Sequence, residues 1–176
     1  MTRLKVPDFN ELLRSAKSSA LHLEMRDSYS VGREVEQIAA WRDAGYQREI
    51  DPESDYWKPW LDLIREVTSK GVVVRRARIY SEPASEYVRF EHSGTQAVID
   101  AGEEVRWLTR SKTSGLALPG NDFWLIDDKA VRFNLFTGEG GLADPQYTED
   151  QEVISLCRTS FEQVWKLATP HDQIVL

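Results

Sequence analysis

Gly71-Val72-Val73-Val74-Arg75-Arg76-Ala77-Arg78-Ile79-Tyr80 is the stretch whose reading decides the fold. Its β-branched run favours a pleated strand, and no glycine or proline interrupts it after Gly71. With a side-chain period of two, Arg76 and Arg78 share one face with Tyr80, and Arg75 shares the other with Ala77 and Ile79. Just upstream, Asp51, Pro52 and Glu53 read as the capped start of a helix. Tyr56, Trp57, Trp60, Leu61, Ile64 and Val67 supply its apolar stripe, and Lys70-Gly71 its stop. A helix running straight into a strand is the unit from which layered α/β sheets are built.

Towards the N-terminus, residues 7–16 predict a helix capped by Asp8 with Glu11 as its capping-box partner. Leu21, Leu23 and Met25 alternate with His22, Glu24 and Arg26, which predicts a half-polar strand. A short helix is expected over residues 33–43. Towards the C-terminus, Pro83 reads as a helix opening, with a break at Ser93-Gly94. Residues 104–109 read as a strand. Phe123 to Ile126 and Ala130 to Phe136 flank Asp127-Asp128-Lys129 as a hairpin. A last helix starts near Thr148 and is stopped by Pro170. The two long loops, 111–122 and 137–148, carry no predicted element. The order α-β-α-α-β-α-β-β-β-α predicts an α/β (α+β) chain: a single mixed β-sheet flanked by helices, one domain over residues 1–176.

Composition narrows the function. The 176 residues hold 22 Lys+Arg against 29 Asp+Glu, a formal net charge of -7 that opposes a broad grip on nucleic acid. The 41% apolar content is that of a globular chain. No apolar run approaches the roughly 20 residues of a membrane span, and the N-terminus has no signal-peptide core, so a cytoplasmic location is expected. One cysteine, Cys157, excludes an internal disulfide framework, and it falls in the apolar stripe of the last helix. His22, His92 and His171 are dispersed and suggest no metal site; no cofactor is expected. GxGxxG, GxxxxGK[ST], GxSxG and HExxH are all missing.

Two clusters remain as candidates. Two guanidiniums on one strand face repel unless an anion or carboxylates lie between them. Arg76 and Arg78, with Arg106 on the next strand and Tyr80 nearby, suit an anionic ligand; the competing reading pairs them internally with Glu24 or Glu104. Arg110 and Lys112 extend the basic character. His22, Glu24 and Arg26, with Tyr29 close by, form the second cluster, where a histidine beside a carboxylate has acid–base capacity. Asp127-Asp128 is explained by the turn it occupies. Of the six tryptophans, Trp57 and Trp60 fit the helix stripe, and Trp41, Trp107 and Trp124 have no obvious place from pattern alone.

Residues 71–79, Ser81-Glu82-Pro83, Tyr87 to Glu91, Ala101 to Leu108, Asp122 to Asp127 and Leu23 to Tyr29 together resemble a family of uncharacterised small actinobacterial proteins. That family is often encoded beside XRE-type helix-turn-helix regulators. The resemblance implies context: a regulatory or interaction protein whose partner is such a regulator. A more distant likeness is to one half of the phospholipase D fold, whose catalytic signature is HxKxxxxD. With Asp127 as the aspartate, Gly120 and Asp122 fall at the His and Lys positions; with Asp128, Asn121 and Phe123 do. Neither register has the nucleophile or the phosphate-holding lysine.

The leading expectation is therefore a non-enzymatic regulatory or protein-interaction protein working with a helix-turn-helix regulator, with no direct nucleic-acid or membrane contact. The alternative is a phosphate- or nucleotide-binding domain, or a degenerate phosphodiesterase-like enzyme, using Arg76, Arg78, Arg106, Tyr80, Glu24, Arg26 and His22. A homodimer stays open in either case.

Overall fold

The β-branched run and its neighbours do form a sheet. In the computed structural model, which describes residues 4–47 and 50–176, β1 (Ser19–Glu24), β2 (Val73–Tyr80) and β3 (Glu103–Thr109) are parallel neighbours. Residues 1–3, part of the N-terminal stretch read above, and residues 48–49 lie outside the described residues. β4 (Asp122–Ile126) runs antiparallel to β1, and β5 (Ala130–Asn134) and β6 (Gln146–Thr148) extend that side. β7 (Thr169–Pro170) pairs antiparallel with β3 and closes the other edge. The strand order β6-β5-β4-β1-β2-β3-β7 makes a single mixed seven-stranded sheet. The expected α/β class is what the chain adopts.

Helices cover both faces, and the covering differs. α5 (Gln151–Leu167) lies on the face bearing Leu23, Ala77, Ile79, Leu108, Phe123, Leu125 and Val131, and packs Ile154, Cys157, Phe161 and Val164 against them. This face is apolar over β4, β1 and the ends of β2 and β3, and Arg75, Glu104 and Arg106 make it polar at the start of β2 and β3. Burial pushes the Cys157 thiol up to about 12, which keeps it a neutral packing group. α1 (Phe9–Ser15), α3 (Lys58–Thr68) and α4 (Glu86–Asp100) lie on the opposite face, where Leu12, Leu13, Leu61, Ile64 and Val67 meet Ala20, Val74 and Ile126. α2 (Glu34–Asp43) sits outside α4, with Trp41 edge-on to Phe90.

Four sequence expectations are corrected. α3 begins at Lys58, not near Pro52, because Asp51 caps a separate turn: its carboxylate accepts the Glu53 N–H at 3.0 Å. Pro59 takes the proline place in the first turn. α4 begins at Glu86, after the cap Ser85, whose hydroxyl accepts the Val88 N–H at 3.1 Å. It runs unbroken through Ser93-Gly94, since Gly94 makes room for a neighbour: a Cβ there would lie 2.7 Å from Trp57 Cη2. α5 is capped by Asp150 and not Thr148. The short edge strands β6 and β7 fall in segments too short and too polar to show an alternating pattern.

The hairpin turn behaves as its composition predicts. Asp127 and Asp128 take φ of 52° and 55°, the left-handed region that aspartate tolerates, and Lys129 N–H closes on Ile126 C=O at 2.9 Å.

Candidate functional site

The helix-covered polar face of the sheet holds an unusual density of charge. From β1 it carries His22 and Glu24, from β2 Arg76 and Arg78, from β3 Glu103, Val105 and Trp107, and from β4 Asp122 and Trp124. Strand register fixes the neighbours: His22 stands beside Arg76 and Trp124, and Glu24 beside Arg78. Burial of this row is costly unless each charge is paired.

Pairing is nearly complete. Arg76 donates from Nε to Glu103 at 2.7 Å and from Nη1 to Glu24 Oε1 at 2.8 Å. Arg78 lies 2.7 Å from Glu24 Oε2 and donates to Glu91 of α4. Glu103 is 1% exposed, and Arg76 is the cation that pairs with it. For Glu24, burial is the largest influence and works upward, but Arg78 and Arg76 outweigh it and hold the carboxyl at about 2. The internal-pairing alternative for these arginines is thus the arrangement present, with Glu24 as the shared partner. Arg75, on the other face, pairs with Glu104.

Above the row lies a cavity of about 340 Å³. Its floor is His22, Arg76 and Arg78; its walls are Phe9 of α1, Tyr56 and Trp57 ahead of α3, Trp60 of α3, and Glu91, Gly94, Thr95 and Val98 of α4. Glu34, from the start of α2, reaches the same space and accepts the Tyr87 hydroxyl at 3.2 Å. Burial, then the neighbouring charges of Glu91 and Glu24, push the Glu34 carboxyl up to about 7. His22 is 5% exposed and stacks on Trp124 with ring centroids 4.2 Å apart. Among the described residues neither of its ring nitrogens has a hydrogen-bond partner, and Nδ1 lies 3.5 Å from Glu24 Oε1. Burial holds His22 well below its ordinary value; Glu24 opposes the shift, and Arg76, Arg78 and Arg132 add to it, so it is neutral at pH 7.

The other sequence candidates are placed elsewhere. Arg106 points to the α5 side, 4.5 Å from the Trp165 ring, and donates to the Trp165 carbonyl at 3.1 Å. Tyr80 is buried against Trp107 at the end of β2. Arg26 lies past β1 over the Phe136 ring. Arg110 is engaged by the strand ends: it donates to Met25 C=O at 2.6 Å and to Asp27 at 3.0 Å, and Asp27 in turn accepts the Ser81 N–H. Of the residues singled out from the sequence, His22, Glu24, Arg76 and Arg78 come together. Glu34, Glu91, Trp57 and Trp60 complete the site from the segments packed over the sheet, and Glu103 joins it through the pairing of β3 with β2.

The phospholipase signature positions can now be located. Asp127 is a structural cap: its carboxylate accepts the N–H groups of Lys17, Ser18 and Ser19 and the Ser18 hydroxyl, joining the hairpin to the start of β1. Asp122, at the lysine position of that register, is buried and accepts the Tyr29 hydroxyl and the Met25 N–H. Burial pushes it up to about 6. The nucleophile position is a glycine, Gly120.

Solved structures share this architecture. Nuc from Salmonella typhimurium, a phospholipase D family member, is similar at 9% identity and a TM-score of 0.51, covering 92% of this chain and 86% of that one. NucT from Helicobacter pylori is similar at 15% identity and a TM-score of 0.50, covering 92% and 87%. No curated protein matches the chain. A family model matches residues 7–175, almost the whole length, and the chain accordingly belongs to the family described as Domain of unknown function (DUF6879).

Proposed function

We propose that this chain is a non-hydrolytic ligand-binding module, a single domain that uses the phospholipase D-like sheet as a scaffold and the cavity over His22 as its binding site. One observation carries the reading. The guanidiniums that would hold a phosphodiester are already neutralised by Glu24, Glu91 and Glu103, while an aromatic-walled cavity of about 340 Å³ lies beside them over the His22 ring. A phosphoryl-transfer site needs cations free to meet developing negative charge and a nucleophile presented to substrate. Here Gly120 and Asp122 stand at the signature positions, and His22 is pressed against Trp124. A mostly apolar concavity with a few convergent polar groups is the ordinary form of a small-molecule site.

The test is turnover of bis(p-nitrophenyl) phosphate and of single-stranded DNA. The expected result is no hydrolysis above the buffer rate, with and without added divalent metal. Hydrolysis that disappears in His22→Ala, with the fold retained, returns the chain to the phosphodiesterase class.

In the cell this module works as a regulatory protein with a DNA-binding partner of the XRE type. The family resemblance supports that partner, and the net charge of -7 suits a basic surface on it. Affinity copurification from the native host at low and high salt is expected to recover a helix-turn-helix regulator; repeated recovery of the chain alone removes this part of the reading.

A further inference from the structure

The balance of charge over the polar face gives the class of ligand. Arg76 and Arg78 supply two positive charges, and Glu24, Glu91 and Glu103 supply three negative ones. Further along the same face, Arg132 and Asp122 add one of each sign. Glu34 adds a carboxyl that has no Lys or Arg within ion-pair distance among the described residues; the Tyr87 hydroxyl is its hydrogen-bond donor. The surroundings of the cavity therefore carry an excess of acid, not of base. An anion entering would meet guanidiniums already occupied and carboxylates facing it. A cation would meet Glu34, which no Lys or Arg pairs among the described residues, and Glu91, which shares its charge with Arg78, with the rings of Tyr56, Trp57 and Trp60 beside them. Aromatic faces attract cations most strongly where water is excluded.

The shape agrees. Gly94 lets the Trp57 indole press against α4, so that a flat wall faces the cavity at the point where a side chain would otherwise protrude. The neutral His22 imidazole adds no positive charge at the floor, and its ring nitrogens are buried away from the cavity.

We propose that the cavity between β1, β2, α3 and α4 binds a planar organic cation of the amidine, guanidine or protonated nitrogen-heterocycle class, its charge on Glu34 and Glu91 and its ring against Trp57 and Trp60. This rests on the binding-site reading above and adds the sign and shape of the ligand.

The isosteric series benzamidine, benzamide and benzoate separates charge from shape, and inorganic phosphate serves as the anionic control. Binding is followed through the indole N–H signals of Trp57, Trp60 and Trp124 in NMR titrations of the full chain. Benzamidine is expected to shift these signals with a dissociation constant at least about tenfold below that of benzamide, a difference of about 1.4 kcal/mol. Benzoate and phosphate are expected to leave them in place. Glu34→Gln is expected to lose about tenfold in benzamidine affinity and much less in benzamide affinity. Equal binding of benzamidine and benzamide, or an unchanged benzamidine affinity in folded Glu34→Gln, overturns the cationic class and leaves the binding site standing. So does tighter binding of benzoate or phosphate. If none of the four moves the indole signals at millimolar concentration, the binding site and its ligand class fall together.

Discussion

Arg76 and Arg78, two residues apart on one face of β2, hold opposite oxygens of a single carboxylate: Arg76 Nη1 lies 2.8 Å from Glu24 Oε1, and Arg78 Nη1 lies 2.7 Å from Glu24 Oε2. Glu24 thereby turns a repulsive pair into one connected lattice, which Glu103 and Glu91 finish from β3 and α4. A lattice of this kind is costly to assemble and costlier to break, because removing one member strands a buried charge.

Arg78→Ala is expected to destabilise the fold by about 3–5 kcal/mol, as Glu91 and half of Glu24 lose their partner in a buried site. The double variant Arg78→Ala, Glu91→Gln removes the stranded charge and is expected to recover part of that loss. Urea denaturation with a double-mutant cycle measures both; a single-variant loss under about 1 kcal/mol would show the lattice to be energetically idle.

Asp122 makes stability depend on pH. Its folded value of about 6 lies above the roughly 3.9 of an unfolded aspartate, so the native state binds its proton more tightly. The stabilisation is complete below about pH 4 and fades as pH rises through about 6. The gap between the folded and unfolded values corresponds to about 2–3 kcal/mol. Asp122→Asn is expected to flatten the stability profile between about pH 4 and about pH 7, read by chemical denaturation at each pH. A profile in the variant as steep as that of the unaltered chain would assign the slope elsewhere, Glu34 being the next group in line.

Glu24 acts with the opposite sign. Held at about 2, it contributes stability that is present above its unfolded value of about 4.3 and is lost as pH falls towards about 2. Acid unfolding is expected to begin below about pH 4 and to shift upward in Glu24→Gln, monitored by near-ultraviolet circular dichroism of the tryptophans packed on this face.

Gly94→Ala sets helix propensity against packing. The substitution gains up to about 1 kcal/mol within α4. The new methyl meets Trp57 Cη2 and Ile50 Cδ1, each 2.7 Å from its ideal position. The isoleucine tip can turn aside, but the indole is wedged, so a net loss of about 1–2 kcal/mol is expected. A lowered unfolding midpoint together with a displaced Trp57 indole signal would bear this out, whereas a raised midpoint would show that the wall yields freely.

The sequence alone specified most of the architecture, because strand alternation, β-branched runs, caps and stops are local and each leaves a mark on neighbouring residues. β1, β2, β3 and the β4–β5 hairpin were all legible in this way, as was the pairing of Arg76 and Arg78 on one side of a strand. The missing nucleophile and lysine were legible too, since a signature is a spacing. What required three dimensions was the assignment of faces and partners. Arg106 and Arg76 look alike in sequence, yet parallel register sends one towards Trp165 and the other into the lattice. Glu34 and Glu91 are gathered to the arginines by the packing of α2 and α4 over the sheet, and Glu103 by the pairing of β3 with β2. The sign of the cavity is a sum over groups brought together by burial, and a sum of that kind has no local signature in the chain.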